Sequence, residues 1–456
     1  MLTRIFLLVT FLFALFTPQA PAQAQQRRQF IRDAEVENTI RIFGTPIFQA
    51  AGLDPAAIRI VLINDPSLNA FVAGGQNIFF HTGLIIRSEQ PGQLIGVMAH
   101  ETGHIAGGHL IRNADAMSSA STEAILAMLL GAAAGAVSGR GEAAGAIMMG
   151  GQEAAMRNLL AFSRSQEQQA DQMAMRFLDD TQESAKGMLE FFEILGDQEI
   201  LVSARQDPYV RTHPLTRDRV AFVREHVGRS RFSSQPWSAE WVEMHRRIKA
   251  KLFAFIEPPV KTMQRYKETD VSLEARYARA IALYRKPDVE GALTLINGLI
   301  KDRPKDPYFW ELKGQMLFEN ARGAEAIEPY KQAVALLPNS ALLRLGLGQA
   351  EIETEDPVML SDAATNLSIA VRLEPEDRFA WQQLAIAFGR NDNEGMASYA
   401  MAEYLLLAGK LPEANFHANK AEQLLGKQGA IWLRLQDIKE QASQVKAAKE
   451  RERKWW

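Results

Sequence analysis

The chain has 456 residues, too many for one ordinary core, so two or three domains are expected. Hydrophobic residues make up 47% and charged residues 23%, and the formal net charge is −3, a folded composition that excludes nucleic acid as the main partner. The absence of cysteine excludes a disulfide framework, a cysteine-liganded metal and lipid attachment through an N-terminal cysteine.

At the start, Arg4 precedes an apolar run from Ile5 to Phe16, followed by Pro18 and the small-x-small triplet Ala22-Gln23-Ala24. That pattern predicts a secretory signal peptide over residues 1–24, cleaved near Ala24. The run is well short of the roughly 20 residues a spanning helix needs. An exported chain without cysteine fits the bacterial periplasm.

Residues 30–255 read as one domain. A helical segment, "RDAEVENTIRIFGTPIFQAAG", comes first. Strand-like runs follow at Ile58–Asp65, Leu68–Gly75 and Asn77–Ile85, with Gly74-Gly75 as a hairpin signal. The next stretch, "GQLIGVMAHETGHIAGGHLIRNA", has apolar residues at helical spacing, so a small sheet packs on this helix. From Ala124 to Gly151 the chain is nearly all Ala, Gly, Leu and Met, which predicts a buried helical hairpin or a cover over a cleft; peripheral membrane contact is the other use of such a stretch. A long helix is expected from about Gln152 to Leu178.

Residues 256–271 read as a linker with Pro258-Pro259 at the hinge, and 443–456 as a charged tail. Between them, 272–442, lies a repeat. The window Pro307–Ser340 carries Trp310, Gly314, Ala326, Tyr330, Ala333 and Pro338 at the offsets of a 34-residue tetratricopeptide unit. The unit before it keeps Ala292 and Pro304 in register. The unit after has Gly348, Ala363, Ala370 and Pro375, displaced by a three-residue insertion. Trp381 and Leu384 begin a fourth, and Ala414 and Ala421 mark a looser fifth. Small residues let paired helices approach, and stacked pairs form a solenoid whose concave groove binds peptide or protein.

The chemistry lies in "MAHETGHIAGGH", Met98 to His109. His100 and His104 share one face of a helix, within reach of one metal ion, and Glu101 lies beside them as a candidate base for the attacking water. A catalytic zinc takes three protein ligands, so a third must come from elsewhere. His109 is one residue short of the third-histidine position of HExxHxxGxxH. On a continuous helix it lies roughly 900° from His100 and points to the opposite side, which predicts a packing or surface role. Glu167 in "SRSQEQQADQMAM" is the better candidate, with Asp171 one turn later able to orient a ligand histidine. Glu167 alone could belong to a solvated polar stripe; the flanking Ser163-Arg164 and Ala170-Asp171 favour the ligand.

HExxH, then "SRxxExxAD", then "HPLTRDR" (His213 to Arg219) resembles the HtpX and CAAX prenyl protease family of zinc peptidases, over about Phe30 to Val227. "NAFVAGGQNIFFHTGLI" is similar to that family's active-site edge strand. The resemblance implies one zinc ion per chain on His100, His104 and Glu167, with Glu101 as general base. It implies that Asp171 orients a ligand histidine and that Arg219 makes a supporting ion pair. His213 would donate to the tetrahedral oxyanion or occupy the position left open on the metal. Substrate would add as a strand along Asn77, Ile78, Phe79 and Phe80.

The expected fold is therefore mainly α: an α+β zincin-type metallopeptidase domain, its small sheet packed on the HExxH helix, followed by an α-solenoid of tetratricopeptide repeats. The expected function is a periplasmic zinc endopeptidase acting on unfolded or misassembled proteins. An exported member with repeats implies outer-membrane proteins as substrates and the outer-membrane barrel assembly machinery as the partner of the repeat groove. The other reading is a repeat-based chaperone or scaffold with latent proteolysis.

Overall fold

The computed structural model describes residues 29–110, 164–196, 209 and 212–454, with side chains to residue 443. The expected signal peptide and the Ala/Gly-rich stretch 124–151 lie outside the described residues. Among the described residues, no helix is long and apolar enough to cross a membrane.

A four-stranded sheet runs in the order β1-β2-β4-β3, with β1 at Gln29–Ile31, β2 at Arg59–Asn64, β3 at Ala70–Ala73 and β4 at Asn77–His81. β1 and β3 pair antiparallel with their neighbours, while β2 and β4 are parallel. Side chains alternate between faces. Ile60, Leu62, Val72, Ile78 and Phe80 join the main core, whereas Ile63, Phe71 and Phe79 form a small cluster on the reverse face. The strand expected over Asn77–Ile85 does not reach Ile85. Instead β4 ends at His81, and Thr82–Arg87 turns into helix α2.

The main core is closed by α1 (Ala34–Ala50), α3 (Pro91–Ala106), α4 (Arg164–Asp180) and α5 (Lys186–Gly196). Asp33 caps α1 by accepting from the Val36 N–H. Every residue of α3 from Pro91 to His104 is buried, so this is the central helix of the domain. Helix α6 (Arg217–Arg229) follows, capped by Thr216.

Helix α7 (Ala239–Ile256) joins two cores. Its Ile248 and Leu252 belong to the peptidase core, and its Ala250 and Ala254 to the repeat core. The two domains therefore meet along α7. The segment expected as a linker holds a short helix, α8 (Pro259–Arg265).

The repeats are antiparallel helix pairs: α9 (Leu273–Arg285) with α10 (Val289–Asp302), α11 (Pro307–Phe318) with α12 (Gly323–Leu336), and α13 (Ala341–Glu353) with α14 (Pro357–Leu373). Then come α15 (Arg378–Arg390) with α16 (Glu394–Leu407), and α17 (Leu411–Leu425) with α18 (Gly429–Lys454). The displaced third unit is explained by α14, which has 17 residues against 14 in α10 and α12. Gly314 is small because a Cβ there would lie 2.8 Å from the Tyr330 ring of its paired helix.

Charged groups bury themselves where the domains meet. Glu35 accepts from Tyr277 Oη at 2.8 Å and pairs with Arg247 at 2.7 Å. Lys251 reaches Asp33 at 2.9 Å and lies 3.5 Å from both Glu35 and Glu311. Arg247 also pairs with Asp306, and Asn38 donates to Tyr308 Oη at 2.7 Å. Farther along the solenoid, Arg32 pairs with Glu374 at 2.7 Å. The chain from Arg32 to Asn38 thus sits against three successive repeats.

His245 on α7 is buried, with Nε2 2.8 Å from Ser88 Oγ. Burial, then the charges of Lys249 and Arg246, push its pKa down to about 3. Between that value and about 6.5 the unfolded chain binds a proton that the folded chain does not, so stability present above pH 6.5 is lost as the pH falls. The slope is at most about 1.4 kcal/mol per pH unit. His245→Gln should flatten the fall in urea midpoint between pH 6.5 and 4.5; parallel falls in both proteins would overturn this.

Candidate metal centre

Helix α3 presents His100 and His104 from one face, their Nε2 atoms 3.0 Å apart. Gly103 lies where α3 meets α4, and a Cβ there would sit 2.7 Å from the Ala170 carbonyl oxygen. The bare backbone lets the two helices approach closely enough for Glu167 to reach the histidines. Its Oε2 is 3.4 Å from His100 Nε2, and its Oε1 is 3.4 Å from His104 Nε2. His213, from the loop before α6, puts Nδ1 3.2 Å from Glu167 Oε1 and 3.4 Å from His100 Nε2.

One ligand atom from each of these four buried residues lies within 4.8 Å of all the others. The donor set fits a metal ion. Two imidazole nitrogens facing each other across 3.0 Å can hold one proton between them or share one cation. Tetrahedral ligation at about 2.0–2.1 Å places ligand atoms about 3.3–3.4 Å apart, close to the separations found.

A second layer holds the first. Asp171 Oδ1 lies 2.8 Å from His100 Nδ1, leaving Nε2 turned inward. Thr216 starts α6 so that Arg219 falls in its first turn. The buried Arg219 guanidinium donates to both Asp171 oxygens at 2.7 and 2.9 Å and pairs with Glu167 at 2.7 Å. Arg219 thus supports two carboxylates.

The electrostatics follow from this packing. Burial opposes charge on His100, but Asp171 and Glu167 outweigh it and push its pKa up to about 9. Burial, with charged neighbours, holds His104 well below its ordinary value. Burial also works against the Glu167 charge, yet His213, His100 and His104 hold that carboxyl well below the usual range. Asp171 is lowered against its burial by Arg219. Glu101, buried beside the cluster, is raised by burial. Neither of its oxygens accepts a hydrogen bond among the described residues, and Oε1 lies 3.5 Å from His213 Nε2.

Asn77, Ile78, Phe79 and Phe80 do not form the expected sheet edge. β4 is flanked by β2 and β3, so both of its backbone edges are already paired. Among the described residues the edge strand nearer the metal helix is β3, Ala70–Ala73, which pairs with β4 and packs on α3. His109 does not point to the opposite side, because α3 stops at Ala106. The chain folds back and brings His109 Nδ1 to 2.9 Å from His104 Nδ1.

Tyr209 escaped the sequence reading. Its buried ring stacks on His213 at 4.6 Å, and its carbonyl accepts from the His213 N–H at 2.7 Å. An aromatic residue four positions before the histidine was the only sign of it.

A buried HExxH helix under a small mixed sheet, with a glutamate of a second helix brought against its two histidines, is the arrangement of a metallopeptidase. Residues 33–227 match Peptidase family M48, and the chain carries a domain of that family. Over most of its length it is also similar to the beta-barrel assembly-enhancing proteases. It is 23% identical to that of Yersinia pestis over 398 residues, which is 86% of this chain and 80% of the relative. It is 26% identical to that of Escherichia coli strain K12 over 393 residues, which is 84% of this chain and 78% of the relative. A crystal structure of YrrB, a TPR protein with an unusual peptide-binding site, aligns with 39% of this chain and 91% of its own at 17% identity and a TM-score of 0.32.

Proposed function

We propose that this chain is a zinc-dependent endopeptidase of the periplasm, acting on unfolded or misassembled outer-membrane proteins, and that its resting site is closed by His213. The observation that carries this is the convergence of His100, His104, Glu167 and His213 beside Glu101. Zinc bound there would supply Lewis-acid polarisation of the scissile carbonyl. Glu101, raised by burial, is placed to take a proton from the attacking water and deliver it to the leaving amine. An extended peptide can add through its backbone to the side of β3 that is unpaired among the described residues, next to the metal helix. The compartment follows the signal-peptide pattern over residues 1–24, and the substrate class follows the likeness to the beta-barrel assembly-enhancing proteases. The barrel assembly machinery is the corresponding partner for the repeat groove.

The second reading, a scaffold with latent proteolysis, draws on the same histidine. His213 turns Nδ1 to the ligand cluster and Nε2 to Glu101, so a single ring occupies both the fourth ligand position and the side of the base. Four protein ligands make a closed site, and an open one is needed for turnover.

Metal analysis tests the site directly. Purified wild type should carry one zinc per chain. Glu167→Ala should bind it more weakly by more than the roughly 10–100-fold that loss of an outer partner costs. Equal zinc in both proteins would refute the ligand choice.

A further inference from the structure

Helix α3 ends two residues after His104. Gly107 is its C-cap, with the N–H donating to the Gly103 carbonyl at 2.8 Å. Gly108 follows with φ +63°, a left-handed conformation that side chains rarely adopt. That residue reverses the chain and delivers His109, fully buried, to the side of His104 away from the metal cluster. The two rings meet edge to face at 4.9 Å. Gly107 also leaves room for the returning ring, since a Cβ there would lie 2.6 Å from His109 Nε2. Two consecutive glycines thus serve the placement of one imidazole.

The hydrogen bonds run in one direction. His104 can offer a lone pair at Nε2 to a metal only if its proton sits on Nδ1. That proton points at His109 Nδ1, 2.9 Å away. With Nδ1 accepting, His109 carries its own proton on Nε2, which lies 3.1 Å from Gln169 Oε1. Gln169 belongs to α4, between Glu167 and Asp171. One helix therefore supplies a ligand, the group that orients His100, and the end of the chain that orients His104.

We propose that His109, anchored by Gln169, is a positioning residue that holds His104 in the tautomer and orientation required for metal binding, as Asp171 does for His100. The proposal rests on the reading of His100, His104 and Glu167 as metal ligands.

Zinc affinity of the full chain, measured by chelator competition, tests it, alongside urea unfolding of the metal-free proteins. His109→Leu should weaken zinc binding about 10–100-fold, the usual cost of losing an outer partner. His109→Asn, whose amide oxygen can accept where Nδ1 does, should restore most of the affinity. The two metal-free variants should unfold at similar urea concentrations. Unchanged affinity in His109→Leu, with zinc bound by wild type, would overturn the proposal and leave the metal site standing. Equal losses in the Leu and Asn variants would mean that His109 only packs. Failure of wild type to bind zinc would remove the metal reading and the proposal with it.

Discussion

Replacing Glu101 by Gln should lower hydrolysis of an unfolded protein substrate by about 10²–10⁴-fold, the range for loss of a general acid–base group. Zinc content should not change, because Glu101 lies outside the four-residue ligand cluster. Gln matches Glu in size, so the buried helix around it keeps its packing. His213→Ala should act in the opposite direction. If the open form is a minor state of 10% or less, removing the ring should raise hydrolysis by about 10-fold or more. The two side chains are 3.5 Å apart, so opposite effects from neighbours would separate a base from a plug. Residual activity in Glu101→Gln within tenfold of wild type would remove Glu101 as the base. A loss of activity in His213→Ala would make His213 an oxyanion donor instead of a closure.

The second large effect is expected far from the metal. Lys251→Met should destabilise the folded chain by about 3–5 kcal/mol, the cost of breaking a buried ion network by removing one member. Burial works against the charge of Lys251, yet Asp33 and Glu311 beside it hold its pKa well above the ordinary range. Without the ammonium, Asp33 and Glu311 lose the cation they pair with, and Glu35 keeps only its contact with Arg247. The measurement is the urea midpoint of the full chain. Arg229→Met, which removes an exposed pair with Glu225, is the control and should leave the midpoint in place. A shift in Lys251→Met no larger than the control's would mean that the network contributes nothing to joining the domains. The network also ties the first turns of α1 to the repeats, so a protein bound in the solenoid would be held at a set distance from the peptidase domain.

Much of this architecture is written locally. The spacing of His100 and His104 puts two imidazoles on one helical face whatever surrounds the helix. The 34-residue period, with its small residues and terminal prolines, marks helix pairs because each pair needs its neighbour to bury its apolar side. Gly74-Gly75 marks a hairpin because both residues take positive φ. Glu167 is different. Alone its carboxylate could sit in a solvated stripe, and its flanking residues and the order of the motifs singled it out.

What only the tertiary structure decided are relations across long stretches of chain. Strand alternation in Asn77–Phe80 says nothing about which partners lie on either side, and β3 returning to the far side of β4 turned an expected edge into an interior strand. A helical wheel carries His109 away from His104, but Gly108 breaks the wheel and packing draws the ring back. Lys251 and Glu35 look like surface charges in their own helices; burial of both depends on two domains meeting along α7. The sequence by itself determined which side chains could do chemistry and which helices repeat, because those depend on neighbours a few residues away. Which strands are interior, which ring lies beside His104 and which side chains converge on the two histidines were left to packing between segments far apart in the chain.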